Sequence, residues 1–310
     1  YLANAGSDNV SVIDLRTNKS LANLAVGSNP RGIAVVPDES RIFVNNVLDG
    51  TVSVINAETL VVAHTIQITN IPLNPTLLAG KKLFNSASSP GLTNDNWISC
   101  ATCHFDGMMD GRTWLGFPDG PRNTPSLFDI VQTMPMHWSG DFDELQDVEI
   151  TIQAIQFGTG LTGKSAYDSL GESHSGISVE LDALAAYLAS LENPSSPYRS
   201  EYNLIELGQA VFDELNCQTC HMPPFYTDHK LHDVGTGDHK KEKNSHGRST
   251  AFDTPSLRGI WLTAPYFHNG SADDLEEVFQ TGLIHNISHE IENAELQALI
   301  SFIMSLPGNE

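Results

Sequence analysis

The 310-residue chain carries 38 Asp+Glu against 16 Lys+Arg, a formal net charge of −22. So acidic a balance excludes a binder of phosphate backbones, whose affinity rests on Lys and Arg. It points to an extracytoplasmic protein or one that docks a basic partner. Apolar residues make up 40%, enough for packed cores, and no apolar run reaches the ~18 residues of a membrane span. The length implies two or three domains. Tyr1 lies inside what reads as a repeat, with no start Met or signal peptide, which fits a processed or truncated product.

The first seventy residues are read as strands. Tyr1-Leu2-Ala3-Asn4 and Asn9-Val10-Ser11-Val12-Ile13-Asp14 recur 42 residues on as Phe43-Val44-Asn45-Asn46 and Thr51-Val52-Ser53-Val54-Ile55-Asn56. Short β-branched alternations between Asp/Asn/Gly turns are strand and hairpin signals. A period of ~40–45 residues with four strands per repeat is that of a β-propeller blade. Asn29-Pro30-Arg31-Gly32-Ile33-Ala34-Val35-Val36-Pro37-Asp38 fits the inner-strand part of a blade. The stretch resembles the YVTN-type surface propellers. Only about one and a half repeats are present, short of the ~4–8 blades of a closed ring, so the alternative is a small accessory sheet. Residues 1–70 are expected to form this partial propeller-like segment.

Ile71-Pro72-Leu73-Asn74-Pro75 marks a boundary, since two prolines in five residues interrupt regular structure. Beyond it lie all four cysteines, as Cys100-Ala101-Thr102-Cys103-His104 and Cys217-Gln218-Thr219-Cys220-His221. Each is a C-x-x-C-H, the pattern of covalent c-type haem attachment. Two thiols three positions apart on one helical turn reach the two vinyl groups of a porphyrin, and the following His supplies the proximal iron ligand. A split zinc site would usually bring its second Cys pair ~15–20 residues from the first. Neither zinc nor a pair of redox disulfides needs a His after both motifs. Two haem c groups are therefore expected, attached outside the cytoplasm.

The haem-bearing segment is itself duplicated. Leu78-Ala79-Gly80-Lys81-Lys82-Leu83-Phe84 matches Glu206-Leu207-Gly208-Gln209-Ala210-Val211-Phe212 around the shared Gly and Phe. Thr124-Pro125-Ser126-Leu127 returns 130 residues on as Thr254-Pro255-Ser256-Leu257, and Thr133-Met134-Pro135 with Gly140 returns at the same offset as Thr263-Ala264-Pro265 with Gly270. Glu180-Leu181-Asp182-Ala183-Leu184 with Tyr187 parallels Glu295-Leu296-Gln297-Ala298-Leu299 with Phe302. These last two have the i, i+3, i+4, i+7 spacing of amphipathic helices, each ending before a proline, Pro194 or Pro307. The expected fold is mainly α: two tandem cytochrome c-like haem domains, over 76–200 and 201–310, behind the N-terminal all-β segment.

Residues 76–306 resemble the bacterial di-haem cytochrome c peroxidases, including the MauG-type enzymes. The resemblance is carried by both C-x-x-C-H motifs and Gly120-Pro121-Arg122-Asn123-Thr124-Pro125. It is carried also by Asp253-Thr254-Pro255-Ser256-Leu257-Arg258 and Leu262-Thr263-Ala264-Pro265-Tyr266-Phe267-His268-Asn269-Gly270. It implies a first haem where peroxide reacts and a second that receives electrons. It also implies an inter-haem Trp, matched by Trp138, and a calcium ion at the positions matched by Asn123, Thr254 and Pro255. Calcium suits carbonyl and amide oxygens.

The departures bear on mechanism. The family's distal His, a few residues before the Gly-Pro-Arg-Asn segment, has no counterpart in Thr113-Trp114-Leu115-Gly116-Phe117-Pro118-Asp119. His137 is the candidate distal ligand or acid/base group of the first haem, with a structural role at a propionate as the alternative. Met108 and Met109 are the thioether candidates, or simply pack on the macrocycle. On the second haem the family's Met or Tyr is absent from Gln280–His289, and His285 is the candidate distal ligand, with His289 behind it. His-His ligation closes an iron and lowers its potential relative to His-Met. His268 and His232 read as propionate or interface residues, Asp238–Arg248 as a solvated polar loop and the chain's one basic cluster, and His64 and His174 carry no signal.

The expected activity is that of a peroxidase-like di-haem oxidoreductase. Electrons pass from an external donor protein, a small cytochrome or cupredoxin-like, through Trp138 to a haem that reacts with hydrogen peroxide, with His137 moving the proton. The alternative is a non-catalytic electron-transfer cytochrome, both haems six-coordinate, fused to a binding or anchoring propeller.

Overall fold

The computed structural model describes residues 1–117, 119–165, 168–199, 201–238, 250–287 and 289–306. The basic cluster read from the sequence, 239–248, lies outside the described residues, as does Pro307. The chain divides into two compact units. The first comprises Tyr1–Thr102, Gln146–Asp168 and Ser173–Tyr187; the second comprises Cys103–Leu145, Ser169–Glu172 and Leu188–Glu310.

The first unit opens with β1 (Leu2–Asn4), β2 (Asn9–Asp14) and β3 (Lys19–Ala25) in one antiparallel sheet. A second sheet follows from β4 (Pro30–Val35), β5 (Arg41–Asn46), β6 (Thr51–Asn56) and β7 (Val61–Gln67), in that order. The 42-residue repeat is present down to the register. Leu2 pairs with Ser11 and Asn4 with Asn9, as Val44 pairs with Ser53 and Asn46 with Thr51. A bulge falls between Val12 and Ile13 and again between Val54 and Ile55. Asn46 donates from Nδ2 to Thr51 Oγ1 and Ser53 Oγ, both at 2.9 Å, and Asn4 donates likewise to Asn9 Oδ1 and Ser11 Oγ. Because side chains alternate along a strand, Val10 of one sheet and Ile42, Val44 and Ile55 of the other bury together.

The sheets lead into helix α1 (Pro75–Asn85). Asn74 caps it by accepting from Leu77 N, and Pro75 occupies the first turn, where its missing N–H costs nothing. Lys82 Nζ on α1 pairs with Asp49 at 2.6 Å, tying the helix to the sheets. Next come α2 (Cys100–Cys103), β8 (Thr113–Trp114), β9 (Arg122–Asn123), α3 (Val148–Ala154) and α4 (Val179–Ala189). The second haem-motif half supplies α5 (Tyr202–Glu214), β10 (Leu231–His232), β11 (Phe252–Asp253), α6 (Leu275–Val278) and α7 (Asn293–Ser305).

The sequence duplication corresponds to a duplicated helix crossing. At Gly80 on α1 an added Cβ would overlap the Ala183 carbonyl on α4; at Gly208 on α5 it would overlap the Ala298 carbonyl on α7. Each crossing carries an edge-to-face aromatic pair one helical turn on, Phe84 with Tyr187 (5.2 Å) and Phe212 with Phe302 (5.4 Å). The shared Gly lets two backbones touch, and the aromatic residues fill the gap beside that contact.

The expectation of a mainly α protein is corrected: helix accounts for 27% of the chain and strand for 19%. The strands of residues 1–67 supply most of the β content. In the haem-motif halves the amphipathic helices are only 11 to 13 residues long. The rest is loop and 3₁₀ turn, because a chain that wraps a flat cofactor replaces helix–helix core with loop–cofactor contact.

Glu149 on α3 is fully buried. Its carboxylate accepts from Leu161 N (2.9 Å), Thr162 N (3.2 Å), Thr162 Oγ1 (2.9 Å) and Gln153 Nε2 (2.8 Å), anchoring the loop that follows Gln156. Glu149→Ala leaves those donors without their acceptor and is expected to cost about 2–4 kcal/mol. A urea titration followed by far-UV circular dichroism checks this; a loss below about 1 kcal/mol would mean that solvent replaces the carboxylate.

Candidate haem sites

The two C-x-x-C-H motifs sit on short helical turns. Cys100–Cys103 is α2 itself, and Cys217–Thr219 is a 3₁₀ turn reached from α5 through Asn216 in the left-handed region. None of the four cysteines is joined in a disulfide. Burial pushes the Cys100 thiol up, and the Cys217 thiol up to about 11.

Each motif's His is oriented from behind by the Thr-Pro-Ser-Leu segment of its own half. His221 Nδ1 lies 3.0 Å from the Tyr226 carbonyl, with the Pro255 carbonyl also toward the ring. A carbonyl only accepts, so Nδ1 carries the proton and Nε2 keeps its lone pair for a metal. At His104 the carbonyls of Met108 and Pro125 lie toward the ring, although Nδ1 closes no hydrogen bond among the described residues. Burial lowers both imidazoles' proton affinity, that of His104 to about 4. Both are neutral at pH 7, as a metal ligand must be.

In the second unit His285 faces His221, the ring centroids 6.3 Å apart and the planes inclined at 51°. Two metal–imidazole bonds of about 2 Å each, plus the half-width of each ring, come to roughly 6 Å, so the spacing fits one metal ion between the two rings. His285 Nδ1 is buried and finds no partner among the described residues. Burial, with His221 beside it, lowers this imidazole to about 4. His289 is exposed, beside Glu290 at 3.6 Å.

The Thr133–Phe142 and Thr263–Ala272 segments form the same turn twice. Met136 bridges Phe142 as Tyr266 bridges Ala272, and His137 and Phe267 both take positive φ, +67° and +64°. The two turns are exchanged about a pseudo-two-fold within the second unit. Asn123 N of β9 donates to the His268 carbonyl, and Asp253 N of β11 donates to the Trp138 carbonyl at 2.8 Å. Trp138 and His268, at equivalent positions, meet edge to face at 6.4 Å. Trp138 Nε1 donates to the Asn123 carbonyl (2.8 Å), and His268 stacks on Phe252 at 3.7 Å.

His137 pairs through Nδ1 with Asp141 Oδ1 at 3.0 Å, packs on Phe142 at 4.0 Å, and has its side chain 42% exposed. Met108 is half-buried and Met109 buried. Asn123 Oδ1 is a buried acceptor with no partner among the described residues; the Thr254 carbonyl accepts from Thr227 Oγ1 at 2.7 Å. His232 bonds Asp228 at 2.9 Å, and His174 forms a fully buried pair with Asp147 at 3.0 Å.

Three residues were given no role by the sequence reading. Gln156 is buried, its Nε2 lies 3.6 Å from Cys100 Sγ, and its Oε1 has no partner among the described residues. Asp253 occupies the place of Asn123 in the second half; burial, with the Asp228 charge nearby, pushes its carboxyl up to about 8. Asp141 was discoverable as a carboxylate four residues from His137.

The family model for di-haem cytochrome c peroxidase matches residues 76–204, and that described as RoxA-like, cytochrome c-like, matches residues 251–282. The cytochrome c peroxidase Ccp of Escherichia coli is 27% identical, covering 71% of this chain and 56% of that protein, so the chain spans little more than half of that relative. The methylamine utilization protein MauG of Methylorubrum extorquens is also 27% identical, covering 75% of this chain and 73% of that protein. Among solved structures, hydrazine synthase of Kuenenia stuttgartiensis shares the fold with a TM-score of 0.54 at 23% identity, over 77% of this chain and 90% of that one. The segment from residue 76 onward is thus similar to the di-haem cytochrome c peroxidases and MauG, and its two C-x-x-C-H motifs are the attachment sites of two c-type haems.

Proposed function

We propose that the chain is a peroxidase-like oxidoreductase in which the two haems have unequal roles. His221 and His285 would hold the second haem, which would supply electron-transfer chemistry, and His104 would hold the first, where hydrogen peroxide would react. The observation that carries this reading is the asymmetry of the duplicated scaffold. Among the described residues, the second half sets a further imidazole, His285, against its proximal His221. At the place where the second half has Phe267, the first half has His137, a group able to move a proton. Bound haem supplies the one-electron redox chemistry. His137 exchanges a proton with the peroxide oxygens, a contribution of typically ~10²–10⁴-fold. Met108 is a weaker candidate for this side, because its own carbonyl lies toward the His104 ring from behind. Trp138 and His268 bridge the two halves.

The electron donor is a small cytochrome or a cupredoxin-like protein, for which an acidic chain favours a basic docking face. A calcium ion takes Asn123 Oδ1 as one oxygen ligand. Residues 1–70 are adjacent propeller blades, a binding or anchoring segment ahead of haem domains over 76–200 and 201–310. The site of action is extracytoplasmic; among the described residues no helix is long and apolar enough to cross a membrane.

Electron paramagnetic resonance and absorption spectra of the oxidised and half-reduced holoprotein test the reading. The expected result is one low-spin haem inert to peroxide and one haem that changes spectrum on adding it. Two low-spin, inert haems would replace the enzyme by an electron-transfer cytochrome.

A further inference from the structure

The turn around Trp138 and the turn around His268 share a backbone but not a chemistry. Gly140 and Gly270 have φ of +58° and +62°, and each donates its N–H back to the residue three before it, His137 or Phe267, at 3.0 and 3.1 Å. At the two positions that face each other across the turn, the second half has Phe267 and Ser271, while the first has His137 and Asp141. The fold needs no His–carboxylate pair to make this turn, since the second copy makes it without one. The first half's pair is an addition to a scaffold that already closes.

Asp141 is built to hold its partner. Its side chain is only 10% exposed, and its Oδ1 meets His137 Nδ1 at 3.0 Å. Its backbone carbonyl takes the Ser169 hydroxyl in a short hydrogen bond. Burial pushes its carboxyl up, but the His137 imidazole and the Ser139 hydroxyl outweigh that and hold it below the usual carboxylate range. Phe142 supports the imidazole face at 4.0 Å. One ring nitrogen is thus fixed by a buried acceptor and the ring plane by an aromatic neighbour. Nε2 is left as the ring nitrogen that Asp141 does not hold.

The geometry points to Asp141 as the positioning residue of His137: it holds the tautomer with the proton on Nδ1, so that Nε2 presents a lone pair to a small protic molecule arriving at the first haem. Peroxide is one such molecule; hydrogen cyanide is another and serves as a probe without turnover. When HCN binds as the anion, its proton moves to Nε2, and the resulting imidazolium stays paired with Asp141. Asp141→Asn replaces the carboxylate by an amide that can donate to Nδ1, which moves the ring proton to Nε2 and leaves no negative charge to pair with an imidazolium. This inference rests on the reading of His137 as the proton-handling group of the first haem.

The test measures the association rate of cyanide with the ferric holoprotein, alongside the rate of the peroxide-induced spectral change. Four proteins are compared: Asp141→Asn, Asp141→Glu, His137→Phe and the double variant Asp141→Asn/His137→Phe. The expected result is a roughly 10- to 100-fold fall in both rates for Asp141→Asn with an unchanged ferric spectrum, near-parental rates for Asp141→Glu, and no further fall in the double variant beyond His137→Phe. Rates within twofold of the parent in Asp141→Asn overturn the proposal, as do additive losses in the double variant. Equal losses in Asp141→Glu and Asp141→Asn, or failure of both to load haem, assign Asp141 to the fold and overturn it too. Unchanged rates in His137→Phe sink the underlying reading itself, whereas slowing there with none in Asp141→Asn sinks only the role of Asp141.

Discussion

Replacing His285 with alanine is expected to turn the second haem of the oxidised protein from low-spin to high-spin while leaving the first haem's signal in place. The two imidazoles lie 6.3 Å apart across a space that fits one metal ion, and partial burial keeps His285 in its neutral form. On the proposed ligation, its removal would delete a strong-field ligand and open the sixth position. The same variant should have a higher second-haem reduction potential, because loss of an imidazole donor favours the reduced iron. His285→Met should keep the iron six-coordinate and also raise the potential, as His-Met ligation does relative to His-His. Redox titration with spectral monitoring and low-temperature electron paramagnetic resonance read both effects. An unaltered low-spin signal in His285→Ala would hand the sixth position to another residue. Phe267, whose ring lies 5.7 Å from His285, cannot take it over.

A second large effect is expected at the helix crossings. Gly208→Val should destabilise the second haem-motif half by about 3 kcal/mol or more, and Gly80→Val the first by a similar amount. An added Cβ at either site runs into a backbone carbonyl, that of Ala298 or Ala183, and backbone cannot rotate away as a side-chain tip can. Separating the helices to make room would also pull apart the Phe212–Phe302 and Phe84–Tyr187 pairs. Thermal unfolding followed at 222 nm should show a midpoint lower by roughly 10 °C. Gly32→Ala is the control, since its Cβ would meet only Asn45 Cβ at an ordinary 3.6 Å. Equal midpoints for Gly208→Val and Gly32→Ala would mean that the crossing is looser than the structure shows.

The duplication predicted from Gly80 and Gly208, and from the Ala183 and Ala298 helices, reappears as two equivalent crossings because a Gly facing a carbonyl leaves one way to pack. The 42-residue repeat was equally readable. Strand side chains alternate with a fixed period, so a repeated pattern forces a repeated register, down to the bulges after Val12 and Val54. The fold class was misjudged because the amphipathic helices carry strong periodic signals while the loops between them carry none. Those loops outweigh the helices once a cofactor substitutes for part of the core.

Local chemistry fixed what adjacent residues accomplish together: two paired thiols and a following imidazole specify haem attachment wherever the chain goes. Residues far apart in sequence act together only through packing. The facing of His285 and His221, the exchange of Asn123 and Asp253 between two turns, and the approach of Gln156 to Cys100 depend on loop paths that no periodicity encodes. The His137–Asp141 pair lies between these cases. Its spacing is in the sequence, but only the turn brings its two atoms to 3.0 Å, and only the second copy of that turn shows that the pair is there for something other than folding.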